Sequence, residues 1–194
     1  MSQPPESRGG VPRIKGIAIR RLLENVEHFY GASVLEDVKS ALPSDLRTRI
    51  EYNQIVAGGW YPITWLRATH VAIRQATRSG PEVARKLGFR GAITNFTTIH
   101  KVFLSVLAPE WVLRRASRIF GMFVEQGQLR VVESRKGMAH VKFEGCTLFE
   151  AGIWESTLGQ CEAILHLCGA KNIRLHVHAG GGDNDFLDTT AYWT

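Results

Sequence analysis

The stretch GQLRVVESRKGMAHVKF, from Gly127 to Phe143, decides the fold class, because the spacing of apolar residues changes where it begins. Apolar side chains recur at helical intervals before Gly127, whereas after it they alternate with polar ones, as in a strand with one buried face. Two such alternating runs flank Lys136-Gly137, which predicts a hairpin. Its inward-facing positions are Leu129, Val131, Ala139, Val141 and Phe143.

A long helix is predicted to follow the hairpin, from about Leu148 to Leu167, with Gly169 ending it. One stripe of this helix is apolar and must be covered by another layer. The stripe consists of Trp154, Leu158, Cys161, Leu165 and Cys168. Two further strands, Ile173 to Val177 and Phe186 to Trp193, flank a glycine turn. The order ββαββ therefore predicts an α+β fold in which one long helix crosses a four-stranded, mainly antiparallel sheet.

The N-terminal half predicts a series of amphipathic helices separated by glycine and proline. The first begins near Gly16 and ends at Gly31, where a helix would stop. Further helices are expected after the breaks at Pro43, Gly58-Gly59, Pro81 and Pro109. The start of the chain is polar and rich in Pro and Gly. We therefore expect a flexible tail over residues 1–12 and a single α+β domain over residues 13–194.

Composition places the chain among soluble globular proteins, with 44% hydrophobic and 22% charged residues. Its three cysteines do not form the even set of a disulfide-stapled secreted protein, so we expect reduced thiols and a cytoplasmic protein. No apolar run approaches the ~20 residues of a membrane-spanning helix, and the first 11 residues lack the apolar core of a signal peptide. Neither membrane insertion nor secretion is expected.

Positive charge is concentrated in the middle of the chain. The net charge is +6, and residues 61–125 hold ten Lys and Arg against three Asp and Glu. Helical spacing groups the arginines into two rows, which are Arg67, Arg74 and Arg78 and then Arg114, Arg115 and Arg118. A solvated helix surface and a surface for an acidic partner or anionic ligand both explain such rows. Nucleic acid is the less favoured target, because neither an aromatic RNA-binding strand nor a helix-turn-helix pattern is present.

No residue is predicted to be catalytic. The sequence contains no nucleophile elbow, HExxH, phosphate-binding loop or kinase motif, and no helix pattern follows the glycines Gly180 to Gly182. Cys161 and Cys168 fall on the apolar helix stripe, where cysteine behaves as a small hydrophobe.

Two histidines near the C-terminus have the spacing of metal ligands on a strand. His176 and His178 share a strand face, and Asp183 and Asp185 follow, which leaves room for a metal ion. Arg174 belongs to the same face and would repel a cation. We therefore predict an exposed polar face and no metal site.

His100 differs from the other histidines because apolar residues surround it on one helical face. Those neighbours are Phe96, Ile99, Phe103 and Leu107. Such a histidine either satisfies a buried polar partner or contacts a ligand such as a haem iron, and both interpretations stay open.

Several short segments carry a resemblance to known proteins. They are Leu42-Pro43 with Leu46-Arg47, Trp60-Tyr61-Pro62, Ala108-Pro109-Glu110 with Leu113-Arg114-Arg115, and Gly169-Ala170. In them the chain resembles an uncharacterised, paralog-rich family of fruiting-body-forming, myxobacterial-type bacteria. The layout from about Ile14 to Trp193 resembles the superfamily of haem-NO-binding domains, 4-vinyl-reductase-type domains and TRAPP vesicle-tethering subunits.

The resemblance implies the fold, a small-molecule pocket between helices and sheet, and pairing with other subunits. The pocket residues expected are Phe96, His100, Phe103, Trp154 and Cys161. The sequence lacks the Tyr-x-Ser-x-Arg motif with which haem-NO-binding domains hold the haem propionates. It also has no cysteine after Cys168, unlike the cysteine-bearing final strands of many 4-vinyl-reductase-type domains, so no metal is implied.

We therefore expect a non-enzymatic sensor or adaptor module that binds a partner protein, forms a homodimer, or holds a small apolar ligand. The alternative is a gas or redox sensor that holds haem or another cofactor, with His100 as the axial ligand. An enzyme of unknown reaction is a third hypothesis, and no set of residues in the sequence supports it.

Overall fold

The computed structural model describes residues 10–95 and 109–194. The N-terminal elements are β1 (Arg13–Lys15), α1 (Gly16–Ser40), α2 (Ser44–Glu51), β2 (Trp60–Pro62), α3 (Ile63–Thr77) and α4 (Val83–Asn95). After the undescribed residues follow α5 (Pro109–Leu113), α6 (Ala116–Phe123), β3 (Gln128–Arg135), β4 (Met138–Glu144), α7 (Ala151–Leu167), β5 (Arg174–Gly180) and β6 (Leu187–Tyr192).

The predicted sheet is confirmed. Its strands lie in the order β3-β4-β6-β5, and every neighbouring pair is antiparallel. The alternation along β4 buries Ala139, Val141 and Phe143 toward the helices and leaves His140 and Lys142 on the other face. Because the central strands β4 and β6 bury apolar side chains on this face, the sheet forms one wall of the core.

Helix α7 covers the apolar face of the sheet, as its stripe predicts. The Trp154 ring contacts Phe143 of β4 edge-on, with centroids 5.9 Å apart, and Leu165 packs with Ala139 and Ala191. Trp154, Leu158 and Leu165 are buried, while Cys161 is partly exposed. The helix begins at Ala151 rather than Leu148, because the carboxylate of Glu150 caps it by accepting the Ile153 N–H at 3.0 Å.

The N-terminal half is helical, as predicted, with local differences. The break at Gly31 is confirmed by its φ of 85°, a left-handed value that glycine adopts readily, and helical structure resumes after it up to Ser40. The helix predicted from Pro109 onward is instead two short helices. Arg114 and Arg115 form a turn between them, in which the Arg115 N–H donates to the Val112 carbonyl, three residues earlier, at 2.9 Å.

A small second sheet was not predicted. Strands β1 and β2 pair antiparallel, with Ile14 opposite Tyr61, and Ile14 is buried. Three residues are too few for an alternating pattern to reveal a strand. Of the predicted tail, residues 1–9 lie outside the described residues, and the domain limits stay a prediction. Among the described helices, none combines the length and the apolar character needed to cross a membrane.

Candidate functional site

An apolar cavity lies between the helices and the sheet and has a volume of about 330 Å³. Its wall is built from β1, α1, α3, α4, α5, α6, α7 and the inward face of the sheet. Most of the lining side chains are apolar, among them Ile17, Leu22, Leu87, Ala92, Ile119, Phe120, Val141, Phe143, Leu158, Cys161 and Ile164. The cavity therefore presents a largely uncharged surface to whatever enters it.

Few polar groups reach this cavity. Arg21 on α1 is the charged side chain among the described lining residues, and its Nη1 is paired with the Glu24 carboxylate. His70 on α3 is buried, and burial together with the nearby Arg74 charge lowers the pKa of its imidazole to about 3. The imidazole is therefore neutral at physiological pH.

Cys161 is the cysteine on the cavity wall. Burial, together with the nearby Glu162 carboxylate, raises the pKa of its thiol to about 12, although the Arg85 charge opposes this rise. The side chain is thus a protonated thiol, which packs as a small apolar group rather than acting as a nucleophile.

The structure describes two of the five predicted pocket residues. Cys161 lines the cavity, whereas Trp154 lies in the core, where its Nε1 donates to the Asn184 carbonyl at 3.0 Å. Phe96, His100 and Phe103 lie outside the described residues, so their role stays a prediction. Sequence reasoning missed Leu22, Leu87 and Val141 as wall residues, because an apolar side chain beside a cavity has the same sequence signature as one in the core.

The predicted basic rows occupy two parts of the helical half. Arg67 pairs with Asp183 at 3.1 Å, and Arg74 pairs with the buried carboxylate of Glu150 at 2.7 Å. Arg78 ends α3 with a left-handed backbone. Carboxylates therefore neutralise two members of the first row.

The second row surrounds the break between α5 and α6. Arg114, Arg115 and Arg118 are exposed, and the Arg115 guanidinium stacks 3.6 Å from the centroid of the Trp111 ring. This row presents positive charge to solvent, and its role in binding stays a prediction.

The fit of a haem group can be tested on the described part of the cavity wall. Haem requires an axial ligand and polar partners for its two propionates. The described wall offers one cationic side chain, Arg21, which already pairs with Glu24, and one imidazole, that of the deeply buried His70. These residues do not complete a haem site, and His100, the predicted axial ligand, lies outside the described ranges.

Comparison with known proteins gives a family and a fold. A family profile described as "Protein of unknown function (DUF2378)" matches residues 20–188. Comparison with curated proteins gives no match.

Solved structures that are similar to this chain include the following three, each of which covers 93% of it. They are the Fe(II) unliganded H-NOX protein from K. algicida (TM-score 0.69, 12% identity, 97% of that chain), an oxygen-binding H-NOX domain related to soluble guanylate cyclases (0.65, 13%, 95%), and a structure that probes heme distortion in the H-NOX family (0.68, 13%, 95%). At these identities the likeness shows the fold, which confirms the predicted layout.

Proposed function

We propose that this chain, which belongs to the DUF2378 family of proteins of unknown function, is a non-enzymatic sensor or adaptor module that binds a small apolar ligand between its helices and its sheet. The observation that supports this proposal is the apolar cavity of about 330 Å³. Its volume falls at the lower end of the range for small-molecule sites, about 300–1,000 Å³. One similar structure is that of an oxygen-binding H-NOX domain, but one fold serves many functions and fold alone does not assign one.

The wall chemistry favours an uncharged ligand. Burying apolar surface contributes roughly 25 cal/mol per Å², and a buried charge without a partner costs several kcal/mol. Because His70 is neutral, Cys161 is protonated and Arg21 is already paired with Glu24, a charged ligand would find little compensation among the described residues.

A fluorescent apolar probe tests the proposal. N-phenyl-1-naphthylamine should bind the purified protein, and Cys161→Phe, which fills part of the cavity, should weaken binding about tenfold or more. His166→Phe adds the same ring on the exposed side of α7 and should leave binding unchanged.

A second filling variant guards against a folding defect. Ala92→Leu adds a larger side chain to the part of the cavity wall that α4 forms. Circular dichroism shows whether each variant is folded. Equal probe binding by folded Cys161→Phe, Ala92→Leu and His166→Phe proteins would contradict an apolar site in this cavity.

Haem binding with His100 as the axial ligand is the second candidate, favoured by the likeness to H-NOX structures. Reconstitution with haem should give a Soret band that His100→Ala abolishes while the fold persists. The exposed His28→Ala serves as the control. A protein that shows no Soret band, or a band that survives His100→Ala, rules this candidate out.

The proposed adaptor role includes a partner protein or a second copy of the chain. The exposed Arg114 and Arg118 are candidates for an acidic partner surface, because solvent-facing charge steers association. Native mass spectrometry of protein purified from its own host should detect bound ligand, haem or partner. An assembly that survives Arg114→Glu/Arg118→Glu would exclude this surface.

We also propose a cytoplasmic location and an origin among the myxobacterial-type proteins that the local segments resemble. All three cysteines are free thiols, which suits a reducing compartment. Fractionation of the host cells would test the location.

A further inference from the structure

A cluster of metal-binding side chains lies on the face of the sheet that points away from the helices. His140 of β4, Asp188 of β6 and His178 of β5 each offer one ligand atom, and these atoms all lie within 4.8 Å of one another. The cluster is separate from the cavity, since none of the three residues lines it.

The strand order creates this cluster. Strand β6 lies between β4 and β5, so that His140 and His176 both stand opposite Thr190 from its two sides. A register shift between Val177 and Ala179 marks a β-bulge, and bulges re-aim side chains. His178 is the residue at this bulge, and its ring lies 5.6 Å from that of His140, centroid to centroid.

Hydrogen bonds already orient the three side chains. The Nε2–H of His140 donates to Oδ1 of Asp188 at 2.6 Å, and the Lys142 ammonium donates to Oδ2 at 2.8 Å. Nε2 of His178 is hydrogen-bonded to the Thr190 hydroxyl at 2.8 Å. These bonds hold the three side chains close together on the sheet face, and a bound ion would replace the His140–Asp188 bond.

We propose that His140, His178 and Asp188 bind a divalent first-row transition-metal ion. Two imidazoles and one carboxylate form a donor set suited to Zn²⁺ and its neighbours, with water completing the coordination. The ion takes the place of the proton between His140 Nε2 and Asp188 Oδ1, and the imidazole stays neutral by carrying its proton on Nδ1 instead. The Lys142 ammonium occupies Oδ2, which leaves Oδ1 for the metal. Its charge opposes the ion, as the charge of Arg174 was expected to do, so the three donor atoms must outweigh this repulsion.

A third histidine lies beside the proposed ligands. The His176 ring lies 4.7 Å from that of His178, centroid to centroid, and places a further imidazole beside the proposed ion.

Zinc titration of untagged protein tests the proposal. Competition with a chromogenic chelator should give one Zn²⁺ per chain, and His140→Gln/His178→Gln should weaken binding about tenfold or more, since loss of a neighbouring hydrogen bond alone costs about 10–100-fold. The control His28→Gln/His166→Gln removes two exposed histidines from helices and should leave the affinity unchanged.

Two outcomes would overturn the proposal. One is the absence of stoichiometric Zn²⁺ binding by folded wild-type protein, which would make the cluster a surface ion-pair network. The other is that the His140→Gln/His178→Gln variant and the control variant bind Zn²⁺ with equal affinity. Circular dichroism of the metal-free variants verifies that a loss of binding is not a loss of fold.

Discussion

The backbone of Ser156 on α7 lies so close to Gly88 on α4 that a Cβ on Gly88 would stand 2.2 Å from the Ser156 carbonyl oxygen. At the same crossing, a Cβ on Gly159 would stand 2.1 Å from the Arg85 carbonyl oxygen. Arg85 also pairs with Glu155 across the two helices at 2.7 Å. The two glycines therefore set the distance between α4 and α7, both of which line the cavity.

Gly88→Ala should destabilise the protein by about 1–3 kcal/mol, the usual cost of overpacking, because the added methyl group meets rigid backbone. The matched control is Gly121→Ala on α6, where a Cβ would meet nothing within 4 Å. That change should be neutral or stabilising by up to about 1 kcal/mol, since alanine favours helix. Chemical denaturation measures both, and equal midpoints would contradict the tight crossing.

Glu150 joins the start of α7 to α3. Its buried carboxylate accepts the Ile153 N–H at 3.0 Å and pairs with Arg74 at 2.7 Å. Glu150→Ala removes both interactions and should lower the free energy of unfolding by about 3 kcal/mol, the lower end for a broken buried pair, because Arg74 retains some contact with water.

Glu150→Gln is the informative comparison. Its amide oxygen can still cap α7, so it should be less destabilising than Glu150→Ala by about 1 kcal/mol, the usual contribution of a helix cap. Thermal unfolding of the two variants measures this difference. Equal losses would mean that the charge pair with Arg74, and not the cap, dominates.

Local sequence patterns predicted the strands of the sheet, but they did not predict which side chains of different strands lie side by side. The alternation of Ala139, Val141 and Phe143 is visible in the sequence because each strand buries one face. The meeting of His140 with His178 depends on the strand order β3-β4-β6-β5 and on a bulge, which are long-range features. Sequence reasoning accordingly considered Asp183 and Asp185 as partners for His178, whereas Asp188 is the carboxylate in the cluster.

The sequence pattern also failed to predict the break between α5 and α6, and it failed to predict the cavity. The apolar positions on both sides of Arg115 keep helical spacing across the break, so their periodicity predicts one continuous helix. A cavity is the absence of atoms between apolar side chains such as Leu87 and Phe143, and composition does not record it.

The cysteine thiols should resist alkylation in the folded protein. Burial is the main cause that raises the pKa of the Cys146 and Cys161 thiols to about 12 and that of Cys168 to about 11. At pH 8 about one Cys168 thiol in a thousand, and fewer of the others, would then be the reactive thiolate. Intact mass after iodoacetamide treatment should show little labelling until the chain is unfolded in guanidinium, and rapid labelling of the native protein would contradict this.

His70 should make the protein less stable in mild acid. Burial is the main cause that lowers the pKa of its imidazole to about 3, whereas the ordinary value of 6.5 applies in the unfolded chain. Between these values the unfolded chain binds a proton that the folded chain does not, so a fall in pH favours unfolding. From pH 7 to pH 5 this linkage should lower the free energy of unfolding by about 2 kcal/mol.

His70→Leu should remove that share of the pH dependence, whereas His28→Gln, on the exposed side of α1, should retain it. Denaturant unfolding of both variants at the two pH values measures the difference, and an unchanged pH dependence in folded His70→Leu would show that the imidazole titrates normally.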